Sequence, residues 1–341
     1  MTENHSSRTA IGLLSLMHMG VDFLCAFALF GRFFGRSADL FFVYNFCAFA
    51  LQMPLGALLD SLTQRAEKKQ EPSLFFTLSG ILLTAIGALV SPVILGIGNA
   101  LFHVGGGVLT IREDDYSKFD GQGLGVFVAP GAIGLAIGML LKGKYFSMLW
   151  GIVAALMLLL FLLLYRLREK LSAETAEQRS EADGLAPVLL LCFLVVMLRS
   201  FAGMAISFSW KQGTFLTLLS TLALACGKSA GGFLSHFTGM RKTVIVSLLL
   251  SAVLYVFGDR AVFGIPALFF FNMTMPLTLY LLAKKMPGAP GLAFGILTFA
   301  LFIGYLPVLF GLTGKLPPFP AGTVGSLLSL VLLLLACRRR S

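Results

Sequence analysis

The segments QMPLGALLDSLTQRAEKK (residues 52–69) and KSAGGFLSHFTGMRK (residues 228–242) carry the same pattern at two places in the chain. At an offset of 176 residues, the matching pairs are Gly56 and Gly232, Leu58 and Leu234, Asp60 and His236, and Arg65 and Arg241. The offset is close to half of the 341 residues. An internal repeat of this size predicts a chain made of two similar halves.

The composition indicates that both halves lie in a membrane. Hydrophobic residues make up 57% of the chain and charged residues only 12%, with a mean hydropathy of +0.89. This is too much apolar surface for a soluble domain. The formal net charge is +10. The basic residues lie in short loops between apolar segments, where they act as topology signals, so we expect no nucleic-acid partner.

Hydrophobic segments of about 20 residues, the length that crosses a bilayer, divide the chain into twelve predicted transmembrane helices. They cover residues 10–31, 39–61, 73–92, 94–111, 121–141, 145–166, 185–207, 214–237, 242–258, 261–283, 291–313 and 321–337. The polar segment REKLSAETAEQRSEADG (residues 168–184) separates the sixth helix from the seventh and is interpreted as a linker. The sequence thus predicts an all-α membrane protein with six-helix bundles at residues 1–167 and 185–341.

The distribution of lysine and arginine predicts the orientation. With the N-terminus inside the cell, 17 of the 26 basic residues lie in inside segments and 7 in outside loops. Inside loops of membrane proteins carry the excess of Lys and Arg. We therefore predict a multi-pass protein of the inner or plasma membrane with both termini in the cytoplasm.

Five polar side chains lie near the middle of predicted helices, at one depth when each residue rises about 1.5 Å. They are His18, Asp22, His103, Arg199 and Lys228. A charged side chain facing lipid at this depth costs about 2.5 to 3.5 kcal/mol on the insertion scale. We therefore expect the five to face one another or a water-filled cavity. With neutral histidines the set holds two cations and one anion, which favours an anionic or zwitterionic substrate.

The four-residue spacing of His18 and Asp22 places both on one helix face, where an ionised aspartate stabilises a protonated imidazole. We predict that His18, Asp22 and His103 form the proton-coupling site. The alternative is that they tie helices together by hydrogen bonds. For His103, the neighbouring glycines at 105–107 are also typical of ordinary close helix packing.

Arg199 is the predicted anion-binding residue, because a guanidinium is permanently charged and offers a fork of donors to carboxylate or phosphate oxygens. The alternative is a static ion pair with Asp22. Lys228 corresponds to Gln52 under the repeat offset, and these two with Asn99 complete the predicted substrate-binding set. A lysine that extends along a helix flank is the simpler alternative for Lys228.

Twelve predicted spans, a central polar loop and a Gly-x-Leu-x-Asp…Arg pattern after the second span resemble the major facilitator superfamily. The resemblance covers essentially the whole chain. It implies two pseudo-symmetric six-helix bundles that move small molecules by alternating access. The chain departs from the superfamily pattern at Thr63, where glycine is expected, and at His236, where an acid is usual.

Local sequences resemble the fosmidomycin-resistance-like branch of drug and metabolite exporters. They are His18-x-x-x-Asp22, Gln52-x-Pro54-x-Gly56, GIGNALFHVGGG (residues 96–107) and LRSF (residues 198–201). Val104 stands where the branch more often has proline.

The superfamily resemblance also implies gate residues that close the cytoplasmic side; these are Asp60, Arg65, Arg241 and Lys242. The charge run at residues 112–115 could provide their partners, although a solvated run is the simpler interpretation. The segment APGAIGLAIG (residues 129–138) resembles the glycine-rich antiporter motif of the superfamily, which implies exchange and hence export.

The sequence therefore predicts a secondary active transporter that exports a small organic anion or amphiphilic drug by proton antiport. Its expected partners are the small-molecule substrate, protons and bilayer lipid. No nucleotide-binding motif is found, and we expect no cofactor and no enzymatic activity. Two alternatives stay open: a divalent cation transporter with His18, Asp22 and His103 as ligands, and a non-transporting membrane sensor of transporter-like fold.

Overall fold

Twelve long helices, numbered α1 to α12, organise the computed structural model, which describes residues 2–33, 38–66, 71–118, 120–171 and 184–338. Their bounds are His5–Phe33, Asp39–Arg65, Pro72–Val90, Pro92–Asp115, Gln122–Leu141, Phe146–Arg166, Leu185–Ala205, Gly213–Thr238, Met240–Val256, Ala261–Lys285, Pro290–Leu309 and Pro318–Arg338. The predicted all-α, twelve-helix architecture is confirmed. Most of the predicted linker, residues 172–183, lies outside the described residues.

Eleven of the described helices are long and apolar enough to cross a membrane. The exception is α9, which has 17 residues. At about 1.5 Å per residue it extends about 25 Å. This length is at the lower end of the range for a membrane span.

The boundary between α3 and α4 is a single residue. Ser91 has an extended backbone, and its hydroxyl accepts a hydrogen bond from the Val93 N–H at 3.2 Å. Pro92 follows as the first residue of α4, a position where its missing N–H leaves no hydrogen bond unmade. Serine followed by proline thus ends one helix and begins the next without a loop.

The two halves of the chain, α1 to α6 and α7 to α12, meet through the helix pairs α2–α11 and α5–α8. Glycines make both contacts possible. A Cβ at Gly56 would overlap the Gly291 carbonyl of α11, and a Cβ at Gly232 would overlap the Gly121 carbonyl that precedes α5. These contacts lie at the end of the helices that holds both termini and most Lys and Arg residues, which we call the basic end. Backbone packing closes the molecule there.

Candidate functional site

Three of the predicted residues form one cluster, which we call the His–Asp–His cluster. His18 and Asp22 come from α1 and His103 comes from α4. The two Nε2 atoms of the histidines are 2.9 Å apart. The Asp22 carboxylate lies 3.2 Å from His18 Nε2 and 3.7 Å from His103 Nε2. The structure thus brings the whole predicted proton-coupling set together.

Backbone carbonyls fix the orientation of both imidazole rings. Nδ1 of His18 lies 2.7 Å from the Phe127 carbonyl oxygen of α5. Nδ1 of His103 lies 2.9 Å from the Asn99 carbonyl oxygen, one turn earlier on α4. The rings meet edge to face, with centroids 4.5 Å apart and an interplanar angle of 85°. Both Nε2 atoms are therefore directed at Asp22.

Gly131 of α5 makes room for the cluster. A Cβ at this position would clash with His18 Nε2 and Asp22 Oδ2. The glycine belongs to the segment at residues 129–138 that resembles an antiporter motif. The contact is with the cluster itself, so absence of a side chain at residue 131 is a condition for the geometry of His18 and Asp22.

We expect Gly131→Ala to displace the cluster and lower the free energy of unfolding by about 1–3 kcal/mol, the usual cost of overpacking a tight interior. The proton uptake assigned to the cluster should be lost or shifted in pH. The checks are thermal unfolding and acid–base titration of the purified protein. Gly12→Ala on α1 is the matched control, since nothing lies within 4 Å of a Cβ there. Identical titrations for the two variants would contradict the role given to Gly131.

Asn99 supports the carboxylate of the cluster. Its side-chain amide lies 3.3 Å from Asp22 Oδ1 and 3.5 Å from Cys25 Sγ, and it donates to both. Its Oδ1 is buried and has no hydrogen-bond partner among the described residues. Asn99 was predicted to bind substrate; in this structure its amide is committed to Asp22.

Lys228 of α8 extends toward the cluster from the other half. Its Nζ donates a 3.3 Å hydrogen bond to the Val128 carbonyl of α5. It interacts electrostatically with Asp22, His103 and Arg199. Adjacent carbonyls of α5, at residues 127 and 128, thus contact the cluster on one side and Lys228 on the other.

Arg199 of α7 is buried without a partner. Its side chain is only 7% exposed. Its Nη1 has no hydrogen-bond partner among the described residues, and none of the ion pairs in the described part of the chain involves it. The alternative of a static ion pair with Asp22 is therefore not what the structure shows. An isolated buried charge is costly unless a counter-ion joins it.

Gln52 does not join the other predicted substrate-binding residues. It is fully buried, and its Nε2 donates to the Ala48 carbonyl of its own helix at 2.5 Å. A Cβ at Gly295 of α11 would overlap the Gln52 backbone, so α11 packs closely over this turn. The repeat offset that paired Gln52 with Lys228 therefore relates positions with different surroundings.

The cluster also has a spacing that a metal ion could use, since one ligand atom from each of its members lies within 4.8 Å of the others. The positive charge of Lys228 nearby repels a dication more strongly than a singly charged cation such as a proton.

At the basic end, Asp60 makes the contact that was expected of a gate residue. Its carboxylate accepts hydrogen bonds from the backbone N–H groups of Gly291 at 2.9 Å and Leu292 at 2.7 Å. These are the first N–H groups of α11, which have no partner within the helix. Asp60 of one half thus caps a helix of the other half, where the helix dipole also favours a negative charge.

The other predicted gate residues do not share in this contact. Arg65, Arg241 and Lys242 are exposed and make no hydrogen bond or ion pair with any described residue. Each lies in the last or first turn of a helix at the membrane surface, where a long basic side chain extends into water.

Other residues tie the halves at this end, and sequence reasoning missed them. Lys284 of α10 forms an ion pair with Asp115. The Tyr280 hydroxyl donates to Asp120 at 2.8 Å, and His236 Nδ1 lies 3.4 Å from the same carboxylate. The histidine at position 236, where the superfamily pattern has an acid, was the feature of the sequence that could have indicated this contact. His236 pairs with Asp120, which lies in the loop after α4.

The charge run that ends α4 is partly buried, which corrects the simpler interpretation of it as solvated. Glu113 and Asp114 are each 1% exposed. Glu113 accepts a 2.6 Å hydrogen bond from the Ser7 hydroxyl. Asp114 accepts from the N–H groups of Gly121 and Gly123 at 2.7 Å and 2.6 Å, and so caps α5.

We expect Asp60→Ala to weaken closure of the basic end, because loss of an N-cap carboxylate costs about 0.5–2 kcal/mol. Spin labels on α2 and α11 at this end should report a larger population with the two helices apart. Arg65→Ala is the control, since the exposed Arg65 side chain forms no hydrogen bond or ion pair with a described residue. Equal distance distributions for Asp60→Ala and the unmodified protein would contradict the capping role.

The fold, with two six-helix halves joined through α2–α11 and α5–α8, is that of the major facilitator transporters to which the chain is structurally similar. By sequence, the chain matches no protein-family model, and no curated protein is significantly similar to it. Its likeness to solved transporters is one of structure.

Three solved structures illustrate this likeness. A variant of the Escherichia coli fucose:proton symporter FucP superposes with a TM-score of 0.68 at 14% identity, covering 98% of each chain. FucP in an outward conformation gives a TM-score of 0.64 at 14% identity, over 95% of this chain and 97% of that one. The human organic anion transporter MFSD10 gives 0.65 at 16% identity, over 97% and 99%.

Proposed function

We propose that this protein is a proton-coupled secondary active transporter of a small organic anion. The observation that carries the proposal is Arg199, a guanidinium that is 7% exposed and unpartnered among the described residues. Its charge lies beside the charge of Lys228. A carboxylate or phosphonate group is the counter-ion that two such donors bind best.

The coupling ion follows from the neighbouring cluster. Lys228 interacts electrostatically with Asp22 and His103, and His18 contacts both of these residues. A proton gained or lost there changes the electrostatic potential at Lys228 and, through it, at Arg199. Anion binding and proton binding are therefore linked through charge over a short distance in a medium of low dielectric constant.

The structural neighbours agree with both parts of the proposal. One is named a fucose:proton symporter and another an organic anion transporter. These activities belong to those proteins. Proteins of this architecture thus include one named for proton coupling and another named for anion transport, which supports the proposal.

The direction we propose is export by proton antiport, on the support of the glycine-rich segment at residues 129–138 and of the sequence resemblance to fosmidomycin-resistance-like exporters. In this proposal the protein lies in the inner or plasma membrane, and the basic end and both termini face the cytoplasm. The present conformation, in which α2 and α5 pack against α11 and α8 at the basic end, is then the state closed to the cytoplasm.

Transport in proteoliposomes tests the proposal. Vesicles containing the purified protein would be placed in radiolabelled methylphosphonate, and an imposed pH gradient should drive the anion into them, whereas protein-free vesicles should take up none. Collapse of the gradient with an ionophore should abolish accumulation. Transport of Zn²⁺ or Mn²⁺ in place of any anion would overturn the proposal in favour of a cation transporter, and absence of all flux would favour a sensor.

A further inference from the structure

The His–Asp–His cluster contains three close contacts that each require a hydrogen atom. Two join Nδ1 of His18 and Nδ1 of His103 to backbone carbonyl oxygens at 2.7 Å and 2.9 Å. The third joins the two Nε2 atoms at 2.9 Å. Carbonyl oxygens accept hydrogen bonds and never donate them, so the ring nitrogens must supply the hydrogen in the first two contacts.

Counting hydrogens shows that the cluster carries an added proton. A neutral imidazole has one N–H, so two neutral rings provide two hydrogens. The carbonyls of Phe127 and Asn99 take both of them. The contact between the two Nε2 atoms would then bring two lone pairs together at 2.9 Å, which is repulsive. A third hydrogen between the nitrogens turns this contact into a hydrogen bond and gives the pair of rings a charge of +1.

The charges around the pair identify where that proton resides. Asp22 faces both rings from α1, and Lys228 faces the cluster from α8, with Arg199 of α7 beyond it. From α5 the described contacts are the carbonyl and the ring of Phe127 and Gly131, none of them charged. If the proton were on Asp22 instead, the Nε2 lone pairs of His18 and His103 would still face each other without a hydrogen between them, and would repel each other. The imidazole pair therefore holds the proton, and an ionised Asp22 balances its charge.

We propose that the cluster binds one proton, shared between Nε2 of His18 and Nε2 of His103, and that the two histidines act as a single titrating unit. For transport, which rests on the proposed function, this sets the coupling at one proton for each passage through the cycle. The proton-binding statement itself holds whether or not the protein transports an anion.

The chain offers a sharp test because it contains only four histidines. The double variant His5→Gln/His236→Gln leaves His18 and His103 as the only imidazoles. Potentiometric titration of this background would be compared with titration after a further His18→Gln, His103→Gln or both, across about pH 5 to 8, where imidazoles titrate. The combined change should remove one bound proton. Each single change leaves one imidazole beside Asp22 that still binds a proton, so it should keep the count and shift the midpoint. A loss of two protons in the combined variant would overturn the proposal.

A second measurement needs no change within the cluster. Ring-nitrogen-15 NMR of the double-variant background should show hydrogen on both Nδ1 atoms at all pH values. The two Nε2 signals should shift together with one midpoint as the solution is acidified. Two separate midpoints, or hydrogen on Nε2 of either ring at high pH, would contradict the shared proton. If titration shows that the cluster binds one proton but the pH gradient drives no anion transport, the proposed function is rejected and the shared proton is not.

Discussion

Arg199→Ala is expected to abolish the stabilisation of the purified protein by small anions while leaving the ligand-free protein at least as stable as before. Removing one partner of a buried charged pair costs about 2–5 kcal/mol of binding, which is about 30-fold to several thousand-fold in affinity. Without a ligand, Arg199 has no partner among the described residues, so its removal takes away an uncompensated charge. The measurement is thermal unfolding with and without benzoate and methylphosphonate.

Two further variants sharpen this result. Arg199→Lys keeps the charge but loses the planar fork, so it should recover only part of the anion response. Arg241→Ala, at an exposed arginine with no contact to a described residue, should behave like the unmodified protein. A ligand-free Arg199→Ala protein that melts well below the unmodified one, yet still responds to the anions, would identify Arg199 as a structural residue.

Asp22→Asn is expected to uncouple the protein from the proton gradient. Its carboxylate lies 3.2 Å from His18 Nε2 and 3.7 Å from His103 Nε2. Removing one partner of a buried ion pair typically costs about 3–5 kcal/mol, so proton affinity should fall by at least about 100-fold. Gradient-driven accumulation of a labelled anion should disappear, whereas anion binding at Arg199 should persist in the thermal assay.

Asp259→Asn is the matched control for this change, because Asp259 is an exposed carboxylate in the turn between α9 and α10. It should leave accumulation unchanged. Accumulation against a gradient by Asp22→Asn, at the rate of the control, would remove Asp22 from the coupling mechanism.

Much of the architecture is predictable from the sequence, because hydrophobic segments of membrane length become helices whatever their detailed order. The repeat around Gly56 and Gly232 predicted two similar halves. That both glycines lie at the contacts between the halves, where their missing side chains allow backbones to touch, is a finding of the structure. The end of α3 was misplaced by one or two residues, because Ser91 and Pro92 terminate and begin helices through backbone geometry.

The sequence predicted which residues form the His–Asp–His cluster, but it did not predict how their side chains are oriented. The spacing of His18 and Asp22 and the depth of His103 indicated a shared location. The acceptors that orient the rings are the backbone carbonyls of Phe127 and Asn99. Every residue has a backbone carbonyl, so the sequence does not indicate which of them accept these hydrogen bonds. Burial of the charge run at residues 112–115 was missed for the same reason, since Asp114 is paired with backbone N–H groups.

The helices α5 and α11 occupy the same place in their halves, yet acids of different origin cap them. Asp114 caps α5 from within its own half, so its hydrogen bonds survive any separation of the halves. Asp60 caps α11 from the opposite half, so its bonds must break. The Asp115–Lys284 pair is exposed, and such surface pairs contribute at most about 1 kcal/mol. In the proposed transport cycle, the Asp60 cap would have to break whenever the basic end opens, whereas the Asp114 cap would not. The strength of the Asp60 cap, about 0.5–2 kcal/mol, would then adjust the rate of opening without changing the proposed binding residues.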